Sequence, residues 1–252
     1  MKVIGSSAKT SFFYKKGREG LPDWHLIYKN NCSSTEILLS DFLKKYDSQP
    51  FKPIAIFSRK QFNGVGQNGR KWISPKGGIW VSAAYPIFSE EFSADIFSIS
   101  IALFLCEMLF EESIKVQIKW PNDIFYGSKK LIGFLPKLIT RGNKILYARI
   151  GIGMNLNNMT PKEGIALSVI FNKKKLSESY WAAKILKVIH KSITFNANQK
   201  LIIDGANKFL NKQILPKKYN NSWLIKEIDQ NGNLRLYKDG RQKIIRLYDQ
   251  FI

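Results

Sequence analysis

The chain has 252 residues, 44% of them hydrophobic and 23% charged, with 40 Lys and Arg against 19 Asp and Glu for a formal net charge of +21. That length is enough for one sizeable core and a small appended domain, and the composition is that of an ordinary globular protein. Cys32 and Cys106 stand in neither a CxxC nor a His-paired spacing, which implies no disulfide framework or zinc site, and His25 and His190 as the sole histidines leave a Ser-His-Asp or metal-histidine mechanism little to work with. The lysines are spread along the whole chain without an Arg-rich helix, a zinc-finger spacing or an RNP motif. Abundant Lys, Asn and Ile also fit a bias toward AT-rich codons. The charge is therefore either compositional or an attraction for something acidic, a protein or a nucleotide.

In chain order, the opening "MKVIGSSAKTSFFYKKGREG" is polar and interrupted. It lacks a signal peptide's apolar centre, so a cytoplasmic protein is expected. "SSTEILLSDFLKKY" (33–46) carries a helical apolar stripe with Ser34 or Thr35 placed as N-cap. Strands are predicted at 52–58 and 78–85. "IFSISIALFLCEMLF" (96–110) is too short and too polar, with Glu107, to span a membrane, and reads as a buried helix beginning near Ser93. No membrane partner is expected. "SIKVQIKW" (113–120) alternates like a half-buried strand, "IFYGSKKLIGFLPKLI" like two strands joined at Gly127-Ser128, and "KILYARIGIGMNLN" (144–157) like another. Helical patterns return at 178–196 and 198–210. The last forty or so residues read as short strands with Asn-Gly and Asp-Gly turns, a small β-meander or barrel. The fold class expected is α+β, with a catalytic domain over 1–208 and a C-terminal β domain over 209–252.

"GVGQNGRKW" (64–72) matches G-x-G-x-x-G through Gly64, Gly66 and Gly69. That fingerprint needs a strand before it and a helix after it. The strand is there, but Pro75 and Gly77-Gly78 prevent the helix, and a P-loop would need Lys-Ser or Lys-Thr after its last Gly. What remains is a strand, a long Gly-rich cationic loop, and a strand. Two further segments hold residues that folding alone explains poorly: "KWPNDIFYGSKK", with Lys119, Asn122, Asp123 and Lys130, and "GIGMNLN", whose strand glycines suggest close backbone approach to a ligand, with Asn155 at its end. Taken singly, Pro121-Asn122-Asp123 reads equally as a good turn and Lys130 as a solvated lysine. Together they supply a backbone cradle, several cations and a lone carboxylate able to hold Mg²⁺ or orient an amine. Such a set suits chemistry at a phosphate, where positioning and charge neutralisation dominate.

"QFNGVGQNGRKWISPKGGIWVS", "KWPNDIFYGSKKLIGFL" and "GIGMNLN" resemble, in the same order, the biotin protein ligase family. The resemblance runs from about Trp24 to the end. The opening residues fit no helix-turn-helix, so it is to the ligases without a DNA-binding repressor domain, and no specific DNA partner is expected. It implies a catalytic domain with a mostly antiparallel or mixed sheet and packed helices, followed by a small SH3-like β-barrel. The implied activity is ATP-dependent ligation of biotin to a lysine of a biotin carboxyl carrier protein of acetyl-CoA carboxylase, through biotinyl-5'-AMP, with Mg²⁺, in a monomer or homodimer. Carried over position by position, Ser34, Thr35, Gln61 and Gly133 would line the biotin site, and Gly64, Val65, Gly66 and Gln67 would close over it. Lys130 would bridge the biotin carboxylate and the α-phosphate. Arg70 and Lys71 would face the triphosphate, Trp72 would pack near the adenine, Asn155 would join the ATP site, and Asn122 and Asp123 would hold Mg²⁺ or the incoming lysine. The chain departs from the family at Val65 and Gln67, where arginines are usual, at Glu36, where Asn is usual, and at Pro136-Lys137, where a Glu is common. A lipoate or octanoate protein ligase-like acyltransferase is the nearest alternative, and a basic nucleic-acid-binding protein is the alternative from another class.

Overall fold

The computed structural model describes residues 6–16, 20–45, 52–89, 91–216, 219 and 222–247. Helix α1 (Ser7–Lys15) precedes strand β1 (His25–Lys29) and helix α2 (Thr35–Lys45). Strand β2 (Ile54–Ser58) leads into a hairpin, β3 (Gln61–Val65) and β4 (Lys71–Ser74), and then β5 (Ile79–Pro86). After helix α3 (Ala94–Phe110) come β6 (Gln117–Lys119), β7 (Asp123–Tyr126), β8 (Lys129–Arg141) and β9 (Lys144–Met154). Helices α4 (Leu167–Ile170), α5 (Glu178–Thr194) and α6 (Gln199–Phe209) lead to β10 (Leu224–Ile228), β11 (Leu234–Lys238) and β12 (Arg241–Ile245).

Seven strands form one sheet in the order β1-β2-β5-β9-β8-β7-β6. β1 pairs with β2 in parallel and the other pairs are antiparallel. The expected mixed sheet with packed helices, an α+β fold, is thus observed. One face is covered by α3, whose residues from Ile96 to Cys106 are all buried. A helix apolar on every side has no stable place at a surface, and each Leu or Ile it buries contributes about 1.5–3 kcal/mol. Its two buried serines are satisfied: Ser100 Oγ donates to Ser192 O at 3.0 Å, and Ser98 Oγ donates to Pro121 O at 3.3 Å, which ties the helix to the turn before β7. On the opposite face α2 packs Leu39 against Ile54, Ile56, Ala84 and Tyr147. Ser34 caps α2 by accepting the Glu36 N–H at 3.2 Å. Residue 46, at the end of the expected helical stripe, lies outside the described residues.

Three expectations need correction. The Gly-rich segment after β2 is a bulged two-stranded hairpin rather than an open loop. The strand expected over 113–120 shortens to β6, because Ser113 takes φ 62° and the Ile114 N–H closes back on Leu109 O at the end of α3. The opening segment contains a helix, α1, capped by Ser6 and buried through Thr10 and Tyr14. Pro136, one of the departures from the family, sits within a continuous β8. β7 pairs with β8 only as far as Gly133, so at Pro136 β8 has an open edge, where a missing N–H is tolerated.

The last three strands form an antiparallel sheet, as the Asn-Gly and Asp-Gly turns predict. The division expected at 208/209 falls in the last turn of α6, and the tail shares the main core through Ile225, Ile228, Leu234 and Leu236. Polar contacts add to this. Buried Trp120 donates its Nε1–H to Gly232 O at 2.9 Å, and Asn207 exchanges two hydrogen bonds with the backbone of Ile228. Trp120→Phe leaves a buried carbonyl unpaired and should cost about 1–3 kcal/mol. Urea unfolding measures this, and a loss under ~0.5 kcal/mol, the usual scatter of neutral surface changes, would show that the bond does not hold the tail.

Candidate functional site

The side of the sheet not covered by α3 carries a cavity of about 310 Å³, at the small end of the range for small-molecule sites. Its floor follows from strand periodicity. Along β9, Ile150 and Ile152 point into the core while Gly151 and Gly153 point the other way. Gly153 faces Gly133 of β8, and Gly151 faces Leu135 of β8 and Ser82 of β5. A Cβ on Gly153 would lie 2.5 Å from Trp72 Nε1, and one on Gly133 would lie 2.9 Å from the Trp72 ring and 2.8 Å from Lys130 Cε. Neither side chain could rest where it does over any residue but glycine.

At one end of the cavity, the N-terminus of α2 and the start of the hairpin form a neutral polar cluster. Gln61 Oε1 accepts from the Thr35 N–H at 2.7 Å and from the Thr35 hydroxyl at 3.0 Å, and Gln61 Nε2 donates to Ser74 Oγ at 2.8 Å. Thr35 Oγ1 lies 2.8 Å from Ser82 Oγ. This end is therefore preorganised by its own hydrogen bonds, with Ser34 beside it.

The middle is cationic. Lys130 Nζ sits 4.7 Å from the Trp72 ring centroid and 2.5 Å from Asp123 Oδ1. Lys119 Nζ approaches the other Asp123 oxygen at 3.8 Å. The backbone of Lys130 is fixed on both sides, its N–H donating to Glu163 O and its carbonyl accepting from Ile165 N and from Asn155 Nδ2. Asn122 donates to Phe134 O at 2.8 Å and receives the Phe134 N–H on its own carbonyl, so its amide anchors the turn that presents Asp123. Arg70 and Lys71, which follow the hairpin tip, are exposed at the rim. In that tip a 3₁₀ turn over Gln67–Gly69 places Asn68 and Gly69 at φ 54° and 71°.

The candidates converge. Ser34, Thr35, Gln61, Val65, Gly66, Gln67, Arg70, Lys71, Trp72, Asn122, Asp123, Lys130, Gly133 and Asn155 all line the cavity. Gly64 does not. It pairs with Trp72 inside the hairpin, where a Cβ would lie 2.5 Å from Trp72 O. Asp123, the candidate Mg²⁺ ligand, is engaged by two ammonium groups instead, and among the described residues no three His, Cys, Asp or Glu side chains gather as a metal site. The sequence reading missed Glu163, Gly164 and Pro161, which close the cavity from a loop with no motif of its own, and gave Glu36 no part in the site, although it lines the end wall. Neither histidine lines it. His190, on α5, bonds to Tyr85 of β5, and burial pushes its pKa down.

This chain is similar to proteins of known kind. The "Bifunctional ligase/repressor BirA" of Bacillus spizizenii is 28% identical over 138 residues, which cover 54% of this chain and 42% of that protein. The "Biotin--[acetyl-CoA-carboxylase] ligase" of Paracoccus denitrificans is 30% identical over 104 residues, covering 40% and 43%. The chain thus spans less than half the length of these curated relatives. Among solved structures, the biotin protein ligase from Aquifex aeolicus in complex with biotin and ATP superposes with a TM-score of 0.70 at 23% identity, covering 88% of this chain and 95% of that one. The biotin acetyl coenzyme A carboxylase synthetase from Helicobacter pylori gives 0.62 at 20% identity, covering 88% and 100%. These last two likenesses concern the fold. The Biotin/lipoate A/B protein ligase family matches residues 31–155, the stretch that holds α2, the hairpin, the turn bearing Asp123, Lys130 and the glycine floor, so that this stretch of the chain is a domain of that family.

Proposed function

We propose that this chain ligates biotin to a lysine of a biotin carboxyl carrier protein at the expense of ATP, through biotinyl-5'-AMP. One observation carries the reading: the Lys130 ammonium is held over Gly133, between the Trp72 ring and Asp123, midway between a neutral polar end and a cationic rim. From Gly151 to Gly153 the floor advances roughly 7 Å, two residues of strand. A short aliphatic chain spans that distance, with a polar ring at the Thr35 and Gln61 end and a carboxylate reaching Lys130.

In the first step a carboxylate oxygen bonds to the α-phosphorus of ATP and pyrophosphate leaves. Two anions must meet, and a cation fixed between them offsets their repulsion. Lys130 suits this role because Asp123 holds its ammonium in place before substrate arrives, and exchanging one carboxylate for substrate oxygens costs little reorganisation. Arg70 and Lys71 face the departing phosphates, and Trp72 offers a ring for the adenine. In the second step the carrier lysine's ε-nitrogen attacks the mixed anhydride, the acyl carbon–oxygen bond breaks, AMP leaves and the amine proton is released to solvent. The donor set does not fit a metal ion bound by the protein alone, since Asp123 is already neutralised. Any Mg²⁺ would arrive with the nucleotide rather than on the protein. The hairpin that carries Trp72 would keep water from the anhydride.

The direct test is transfer of labelled biotin to a purified carrier domain with ATP and Mg²⁺, with lipoate as the competing acid. Label on the carrier from biotin is the expected result; label from lipoate alone would overturn the reading. Lys130→Ala should slow adenylate formation by roughly 10²-fold or more, the usual loss for one preorganised charge-stabilising donor. Single-turnover pyrophosphate release reads this, and a rate within a few fold of the parent removes Lys130 from the chemistry.

The hairpin tip gives another prediction. Gln67 begins the 3₁₀ turn at the cavity rim, and a neutral amide brings no charge to the phosphate. Gln67→Arg should add a charge-assisted contact and slow escape of the adenylate roughly ten-fold or more. Stopped-flow dissociation of preformed adenylate gives the two off-rates. Equal values would mean that Arg70 or a neighbouring lysine already holds the phosphate.

A further inference from the structure

The end wall of the cavity is a charge pair that no step above uses. Glu36, the second residue of α2, and Arg149 of β9 are both largely buried, their side chains 16% and 11% exposed. One guanidinium nitrogen, Arg149 Nη2, lies 3.0 Å from Glu36 Oε2, 3.2 Å from Glu36 O and 3.0 Å from Ser40 Oγ. The second carboxylate oxygen, Oε1, is buried and has no hydrogen-bond partner, and Arg149 Nε is likewise unpaired, so the two groups do not form a bidentate fork. Oε1 lies beside Gly151, where a Cβ would come within 3.1 Å of it, and both Glu36 and Gly151 line the cavity. An acceptor buried without a donor is costly. The Gln61 amide is engaged elsewhere, its oxygen by Thr35 and its nitrogen by Ser74.

We propose that Glu36 is a specificity-determining residue of this site, its Oε1 accepting an N–H from the ring of the bound acid while Arg149 holds the other oxygen. The inference rests on the ligase reading above and deepens it, because it states which acids the cavity admits. A cyclic urea brings N–H donors to Oε1. A dithiolane brings none, and would strip water from a carboxylate with nothing in return. The selection is thus made by the carboxylate on α2 and is independent of the cationic centre that would act on the acid's other end.

The test is calorimetric binding of biotin, desthiobiotin and lipoate to the full chain and to Glu36→Gln. The variant keeps the side chain's size, but its carbonyl turns to Arg149 and its NH₂ faces the cavity, so that a donor meets a donor. Biotin and desthiobiotin, which share the urea, should both weaken by roughly 10- to 100-fold, the range for a hydrogen bond to a charged group, while lipoate should change less than about 3-fold. Equal weakening of all three acids would assign Glu36 to packing alone and overturn the proposal, as would unchanged biotin affinity. If Glu36→Gln does not fold by thermal melting, the double variant Glu36→Leu, Arg149→Met removes both charges together and leaves no acceptor at the end wall, and so carries the same comparison. Failure of the parent chain to bind biotin or desthiobiotin would overturn the ligase reading itself, an outcome separate from a parent that binds biotin and a variant that binds it equally well.

Discussion

Everything at this site depends on one steric fact, that two neighbouring strands carry no side chain where Gly133 meets Gly153 under the cavity. Gly133 and Gly153 are opposite each other in the register of β8 and β9, and Trp72 and Lys130 lie directly on them. The indole is pressed against backbone on one side and presents its face to the ammonium on the other. A cation over an aromatic ring is attracted by about 0.5–2 kcal/mol, more as water is excluded. A methyl at either glycine would lift both groups off the floor together. The cation's position is therefore set by packing, and the charge of Asp123 then fixes its direction.

The surrounding hydrogen bonds serve the same end. Asn122 and Asn155 look like ligand-binding residues in a sequence, yet each spends its amide on the backbone of β8 or its flanking turn. They hold Asp123 and Lys130 in place, the supporting layer that a preorganised charge requires. The frame behind them is rigid for ordinary reasons. α3 is buried on all sides, Ser98 ties it to Pro121, and Trp120 is bonded into the tail at Gly232. The small C-terminal sheet thus braces the turn that carries the acid, from the face of the main sheet opposite the cavity.

Charge is distributed unevenly in effect, though evenly in sequence. Most lysines are at the surface, where pairing contributes little: Lys15 with Asp23 involves groups more than half exposed. Around Asp123 the same residue types are few, partly desolvated and paired in a chain, Lys119 to Asp123 to Lys130. Arg149 and Glu36 form a second, separate pair at the far wall. A charge cluster in the middle of the cavity and a separate pair at its end wall give it a polarity that the overall +21 does not reveal.

Local pattern was enough to read much of this from the chain. A run apolar on every side could only be α3, Gly127-Ser128 and the two Gly turns of the tail could only join antiparallel strands, and Pro75 with Gly77-Gly78 ruled out a helix after "GVGQNGRKW". These are contacts between near neighbours, which the sequence by itself determines. The β3–β4 hairpin was not legible, because its pairing is bulged between Gln61 and Gly64 and its outward positions, Phe62, Val65 and Ile73, are exposed apolar residues that break the alternation. Helix α1 escaped for want of a strong apolar stripe and became helical by packing on α5. The roles of Asn122, Asn155 and Glu36 were decided by tertiary structure alone. Each depends on a partner brought near by sheet register, and Glu36 meets Arg149 across 113 positions of chain. Residue type told what these side chains could donate or accept, and only the folded register decided which partner they would spend it on.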